Sequence, residues 1–283
     1  MINFRELTKP YLIAEIGINH NGNLQIAKKL IDATFACSWD CAKFQKRSPD
    51  KCVPEEQKRI IKQTPWGGMT YLEYKHRMEF GEKEFDLIDE YCKAKPLDWT
   101  MSIWDIDSLD FATQYNVPFL KIPSSHITNK ELLKKASLTS IPIVASTGMS
   151  SIEEIDSAVN VLEKYASQYV ILHCTSSYPA KLKELNLLTI PKLKERYKCV
   201  VGYSGHEHGL DSTTIAVSLG AMVIERHITL DHSMWGTDQC SSIEIQGMDK
   251  LYKQVHSVEA VLGDGIKKVY KSEKNIVKKL RGT

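Results

Sequence analysis

The sequence predicts an α/β protein with a (β/α)8 (TIM) barrel, on three observations. Eight short apolar runs recur along the 283 residues, each ends in a polar or charged residue, and an amphipathic stretch of helical length separates most of them. Strands that alternate with helical patterns imply a parallel sheet, and eight such units close into a barrel whose C-terminal strand ends share one mouth. Glu15, Lys43, Gln45, Ser102, Lys121, Ser124, Ser146, Tyr178, Ser204, His206, Glu225 and His227 fall at or just past such ends, which makes them an active-site inventory.

The first run, Tyr11–Gly17 (YLIAEIG), leads into a helical pattern over Leu24–Phe35. The second, Cys41–Gln45 (CAKFQ), reaches its helix, Lys83–Ala94, only after the long connection Arg47–Gly81, which carries four aromatic side chains between Thr64 and Gly81. A long loop on the catalytic face reads as a substrate wall or lid, or equally as an Ω-loop or helix that plugs the barrel or meets another subunit. Asp98–Asp105 (DWTMSIWD) precedes a helix at Ser108–Tyr115, and Phe119–Ser125 (FLKIPSS) precedes one at Asn129–Ala136, where Asn129 is the starting cap. Pro142–Thr147 (PIVAST) precedes Ser151–Tyr165, whose SSIEE start sets serine before acidic residues in the first turn. Val170–Ser177 (VILHCTSS) precedes Leu188–Arg196, and Cys199–Gly205 (CVVGYSG) precedes Leu210–Leu219. Met222–His227 (MVIERH) is followed by a polar loop, Asp231–Ser242, and a helix at Gly247–Leu262.

The bulk numbers fit one large core. Apolar residues are 42% and charged residues 25% of the chain, with a net charge of +2, so no bulk field argues for nucleic acid or membrane. The length exceeds a minimal barrel but leaves no room for a sizeable second domain, so residues 1–283 are expected to form a single domain with a basic helix or tail from about 266. Lys267, Lys268, Lys271, Lys274, Lys278 and Lys279 there alternate with apolar residues as on a solvated helix face. MINFRELTKPYLIAE has no long apolar core of a signal peptide and no later stretch could span a bilayer, which sets a cytoplasmic expectation. Seven scattered cysteines without a CxxC pair fit reduced thiols, with Cys174 and Cys240 read as small buried hydrophobes.

At the mouth, His206 and His227 end adjacent strands, so a two-histidine metal site open to substrate needs no special folding; two histidines alone also suit a structural role. His208 and His232 are alternative ligands but sit deeper in loops, where they read as surface histidines, and His173 lies mid-strand, in the core or behind the ligands. Lys43 and Lys121 inside apolar runs point to an anionic ligand, phosphate or carboxylate, with Ser102, Ser124, Ser146 and Ser204 as hydroxyl donors. The STGM segment before a helix could add backbone N–H groups. Either lysine could instead be a Schiff-base nucleophile. Glu15 and Glu225, buried in strands, suit acid/base work, or alternatively ion pairs with Lys43 or Lys121.

Those residues also carry a resemblance. AEIGINHNG (Ala14–Gly22), KFQ (Lys43–Gln45), KIPSSHITN (Lys121–Asn129), STGMS (Ser146–Ser150), LHCTSSYP (Leu172–Pro179), VGYSGHEHG (Val201–Gly209) and ERHITLDHSMWGTD (Glu225–Asp238) occur in the order of the sialic acid synthase family. The chain resembles these phosphoenolpyruvate-dependent nonulosonic acid synthases over about Tyr11 to Gly263. The resemblance implies a transferase that joins phosphoenolpyruvate to an N-acylated, N-acetylmannosamine-like aldose, giving a nine-carbon sialic or nonulosonic acid and phosphate. It implies a divalent metal, Mn2+ with Mg2+ or Co2+ as alternatives, on His206 and His227. It further implies phosphoenolpyruvate on Lys43, Ser102, Lys121, Ser124, Ser146, Ser176 and Ser204, and sugar on Gln45, His126, Tyr178 and Asp238. Glu15 and Glu225 become the acid/base carboxylates.

The chain departs from the family pattern at His126, where a glutamate is usual, at Ser176, often asparagine, and at Gly205, where VGYSDH carries aspartate. The first puts the sugar in question and the last removes a carboxylate beside His206. Typical members continue into a small antifreeze-like domain that lends an arginine across a dimer. This chain stops at Thr283, so the expectation is a barrel without that domain, which allows a homodimer built on the barrel alone, with Arg77 or the basic C-terminal helix covering the site. The rival readings are the same chemistry on another aldose, a Schiff-base pyruvate aldolase, and a non-catalytic sugar-binding barrel.

Overall fold

A computed structural model describes residues 1–282. Eight parallel strands close in the order β1-β10-β9-β8-β7-β6-β5-β2, and a separate hairpin, β3-β4, stands outside the barrel. The strands are β1 (Tyr11–Gly17), β2 (Cys41–Lys46), β3 (Ile61–Thr64), β4 (Gly67–Thr70) and β5 (Asp98–Ile103). They continue with β6 (Leu120–Ile122), β7 (Ile143–Ser146), β8 (Tyr169–Cys174), β9 (Val200–Gly205) and β10 (Val223–His227). The barrel expectation is met strand for strand.

Side-chain alternation builds two layers inside the barrel. The lower layer is apolar: Ile13, Cys41, Phe119, Val144, Val170 and Val223 pack together over Phe4. Phe4, Tyr11 and Phe119 meet edge to face at 5.5–6.2 Å between ring centroids and plug the N-terminal end. Each such pair adds about 0.5–1.5 kcal/mol beyond the area it buries. Two residues further along several of the same strands the layer turns polar, with Glu15, Lys43, Lys121, Ser146 and Glu225, all buried. The opposite faces of the strands, among them Leu12, Ala14, Phe44, Met101, Ile122 and Ile224, pack in the main apolar cluster with helix residues such as Leu30, Phe85, Leu132 and Leu251.

Local chemistry sets the boundaries. β6 stops at Ile122, short of the expected Ser125, because Pro123 has no N–H for the ladder, and Ser124–His126 turns as a 3-10 helix. Asn129 caps the next helix by accepting from the Leu132 N–H at 3.1 Å, and Ser151 with Glu154 forms a capping box on Ile152–Tyr165. The connection after β2 is structured: two short helices, the β3-β4 hairpin and a helix at Tyr71–Met78 precede the expected helix, Glu82–Lys93. Its outer part packs through Trp66 and Tyr74 onto Trp235 of the loop after β10, at 5.3 and 5.4 Å between rings.

The basic tail forms a helix over Lys274–Arg281 with none of its residues buried; Thr283, the end of the expected tail, lies outside the described residues. No disulfide forms among the described residues, and Cys37, Cys41, Cys92 and Cys174 are buried. Cys240 corrects the expectation of burial: its 3-10 turn buries Gln239 and Ser241 and leaves the thiol between them exposed. No helix among the described residues is long and apolar enough to cross a membrane.

Candidate active site

Parallel register assembles the centre of the mouth. Glu15 lies opposite Lys43 on one side and His227 on the other; Glu225 lies opposite Ser204, and Ser102 opposite Lys121. Lys43 is ion-paired with Glu15, donates to the Ser102 hydroxyl at 2.7 Å and stands 3.7 Å from Glu225. Lys121 donates to Glu225 at 3.0 Å, and the Ser204 hydroxyl donates to the same oxygen at 3.2 Å. The functional and ion-pair readings of these carboxylates therefore describe one arrangement, two cations and two anions in balance.

Burial and charge pull the four groups apart. Burial raises the Glu15 carboxyl, and Lys43 offsets only part of the rise. Burial acts on Glu225 too, but Lys121 and Lys43 outweigh it and hold that carboxyl below the ordinary range. Burial lowers Lys121 against the pull of Glu225, whereas Glu15 and Glu225 overcome burial at Lys43 and raise it. Environments that separate paired titratable groups mark acid/base sites.

One wall is made of hydroxyls. Ser124 accepts the Gly148 N–H at 3.0 Å, and the buried Ser146 hydroxyl has no partner. Gly148 is seated so close that a Cβ there would meet the Ser176 Oγ at 2.1 Å and the Ser124 Oγ at 2.9 Å. Hydroxyls and two lysines on one cavity make an anion cradle.

The opposite edge holds His206 and His227, their rings 5.4 Å apart between centroids, with the Tyr178 ring 4.2 Å from the first and 5.9 Å from the second. His206 Nδ1 is 2.9 Å from the Thr175 carbonyl oxygen; donation there leaves the Nε2 lone pair free. His227 Nδ1 is buried without a hydrogen bond, 3.9 Å from Asp238, and burial holds its imidazole down at about 3, hence neutral. Burial lowers His206, but Cys174 and the Thr175 carbonyl outweigh it and raise that imidazole. Two adjacent imidazoles, deprotonated as ligands, fit an open cation site. No cluster of three or more His, Cys, Asp or Glu stands ready for a metal among the described residues, so the fit is to two protein ligands.

Of the expected site residues, Glu15, Lys43, Gln45, Ser102, Lys121 and Ser124 line one cavity of about 220 Å³ together with Ser146, Ser176, Tyr178, Ser204, His206, Glu225 and His227. His126 and Asp238 do not line it. The 3-10 turn after Pro123 sends the His126 ring edge-on against Trp104 at 5.1 Å, and Trp104 and Ser125 face the cavity instead. Asp238 stands behind His227 at the rim. Gln45 donates to Glu15 at 3.0 Å and accepts from Arg47 at 2.9 Å, so both ends of its amide are held.

Arg77 lines no part of this cavity; its guanidinium lies over Trp66 at 4.2 Å on the outer face, and the C-terminal helix contributes no lining residue. His232 bonds the Ser242 carbonyl at 2.7 Å, His208 is exposed, and His173 is buried against the Leu185 carbonyl at 2.6 Å. Sequence reasoning missed Trp104, Met149 and the part of Cys174 as lining. Trp104 carried a signal, standing just beyond the strand that bears Ser102, but it reads as core.

Comparison with known proteins places these residues in a group. The family model described as "NeuB family" matches residues 30–267. The chain is 37% identical to N,N'-diacetyllegionaminic acid synthase of Campylobacter jejuni, over 96% of this chain and 84% of that one. It is 38% identical to N-acetylneuraminate-9-phosphate synthase of Drosophila melanogaster, over 96% and 72%. Among solved structures, the N-acetylneuraminic acid (sialic acid) synthetase of Leptospira borgpetersenii, in complex with citrate, matches with a TM-score of 0.85 at 30% identity, covering 98% of this chain and 94% of that one.

Proposed function

The chain belongs to the NeuB family, and from that membership and the cavity's chemistry we propose that it condenses phosphoenolpyruvate with an N-acylated amino-sugar aldose. The product is a nine-carbon α-keto acid, and inorganic phosphate leaves. The observation that carries this reading is the pair of buried lysines, each held by a buried carboxylate, beneath a hydroxyl wall and beside two histidines.

Phosphoenolpyruvate brings a phosphate and a carboxylate to a pocket whose lysines are already neutralised by Glu15 and Glu225. Its anions take over Lys43 and Lys121, and Ser102, Ser124, Ser146, Ser176 and Ser204 complete the cradle. The sugar lies against Gln45 and Tyr178, where the aldehyde carbon faces the enol carbon. A divalent cation, Mn2+ with Mg2+ or Co2+ as alternatives, would be held by His206 and His227 and would supply Lewis acidity at the aldehyde oxygen.

The enol carbon forms the new C–C bond, and the former aldehyde oxygen takes a proton to become a hydroxyl. Glu15, whose carboxyl burial raises and Lys43 lowers, takes up a proton from solvent as phosphoenolpyruvate draws Lys43 away, and its contact with Gln45 on the sugar side places it to give that proton. Glu225, held ionised by two lysines, stabilises the positive charge at the phosphate-bearing carbon. Water adds to that carbon and gives one proton to the Glu15 carboxylate; the C–O bond to phosphate then breaks as the new hydroxyl becomes the ketone and passes its proton to the departing phosphate.

The test is phosphate release from phosphoenolpyruvate with Mn2+ across a panel of hexosamines and their N-acyl forms. Release that requires one sugar and is abolished in His227→Ala is expected. Release independent of sugar, or undiminished in that variant, would overturn the assignment. Borohydride reduction with pyruvate is expected to label neither Lys43 nor Lys121, and a labelled lysine would point to aldolase chemistry instead.

A further inference from the structure

We propose that the buried Arg226–Glu207 ion pair is a clamp that sets the separation of His206 and His227, built from residues that never reach the cavity. The inference rests on the reading of those histidines as metal ligands. The ladder between β9 and β10 pairs Ile224 with Tyr203, Glu225 with Ser204 and Arg226 with Gly205, and ends there. His206 is the first residue past β9 and His227 the last of β10, so no backbone pairing ties one histidine to the other.

The tie lies on the opposite face of the sheet. Glu207 follows His206, Arg226 precedes His227, and both are almost fully buried, at 0% and 1% exposure. Arg226 Nη1 is 3.0 Å from Glu207 Oε1 and donates to Thr213 Oγ1 at 2.7 Å and to the Gly209 carbonyl at 3.2 Å. Its Nη2 donates to the Glu207 carbonyl oxygen at 2.6 Å. The Glu207 carboxylate also takes the Tyr203 hydroxyl at 2.7 Å and the Ser212 hydroxyl. One guanidinium thus grips both the side chain and the backbone of the residue after His206, from the residue before His227. Burying two charges gives little net stability that an apolar pair would not give, but it imposes a geometry that an apolar pair would not.

Gly205 belongs to the same device. A Cβ there would meet Tyr203 Cε1 at 2.7 Å, Glu207 Oε2 at 2.8 Å and Arg226 Cδ at 3.0 Å, so the clamp fills the space a side chain would need. Glycine before His206 thus gives the Glu207 carboxylate after it the room it occupies.

Mn2+ titration followed by electron paramagnetic resonance tests the clamp without turnover. Glu207→Gln and Gly205→Ala are expected to weaken Mn2+ by roughly ten- to 100-fold and to alter the bound-Mn2+ spectrum, with metal-free phosphoenolpyruvate affinity unchanged. Tyr203→Phe and Ser212→Ala, each removing one hydrogen bond to the same carboxylate, should move Mn2+ affinity the same way by a smaller factor. They replace Glu207→Gln should it fail to fold. Wild-type Mn2+ affinity in folded clamp variants would overturn the proposal, and so would equal loss of both ligands, which would mean the pair only holds the fold. Wild-type protein that binds Mn2+ no better than His227→Ala would overturn the two-histidine site itself, and the clamp with it.

Discussion

Single side chains here are tuned by what surrounds them, and His20 shows it away from the chemistry. Its ring stacks on Phe80 at 4.0 Å between centroids, accepts the Gly22 N–H at 3.1 Å, and is held by burial at about 3. The unfolded chain takes up a proton near pH 6.5 that the fold refuses until about pH 3. The stability that His20 contributes is therefore complete above pH 6.5 and is lost as pH falls through that window, by up to roughly 1.4 kcal/mol per unit. His20→Phe should show a shallower acid limb in denaturation midpoints against pH, and parallel profiles would refute this. Nearer the cradle, Ser146 presents a buried hydroxyl without a partner. Ser146→Ala should weaken phosphoenolpyruvate binding by roughly ten-fold, the effect of one hydrogen bond to a charged group, with the unfolding midpoint unmoved; equal affinities by calorimetry would remove Ser146 from the cradle.

Among the elements, the barrel strands were legible because each carries its own pattern, an apolar run closed by a polar end. The β3-β4 hairpin was not. IKQT and GGMT are short and polar, and the hairpin is held by Trp235, which lies far along the chain. The same limit hid His126: the motif places it beside Ser124, but the turn after Pro123 decides where its ring goes. Nothing local announces that Arg226 meets Glu207, since the contact depends on two strands already lying side by side. The excursion after β2 touches the loop that carries Asp238 through Trp235, so Trp235→Ala should raise KM for the sugar more than for phosphoenolpyruvate. It should also open the Ile60–Gly67 region to proteases. Equal changes in both KM values would detach this excursion from the sugar side.

For the molecule as a whole, fold and reaction class are separable. The apolar lower layer and the helix-facing cluster hold the barrel, and the candidate metal ligands sit at two strand ends above them. Chelation should therefore abolish phosphate release while leaving the thermal unfolding midpoint nearly in place, and a large drop in the midpoint would assign the metal a structural role.

The aromatic plug of Phe4, Tyr11 and Phe119 has a kinetic consequence. A vessel sealed at its base has one door. The lysines lie within the strands, below Tyr178 and the histidines at their ends, so whatever rests against the upper residues stands in the path of whatever binds lower. Phosphoenolpyruvate must go in ahead of the sugar, and the long product must clear the opening before the next cycle. An unreactive sugar analogue should accordingly inhibit uncompetitively against phosphoenolpyruvate; a mixed pattern, with phosphoenolpyruvate reaching the lysines past the bound analogue, would mean a second way in.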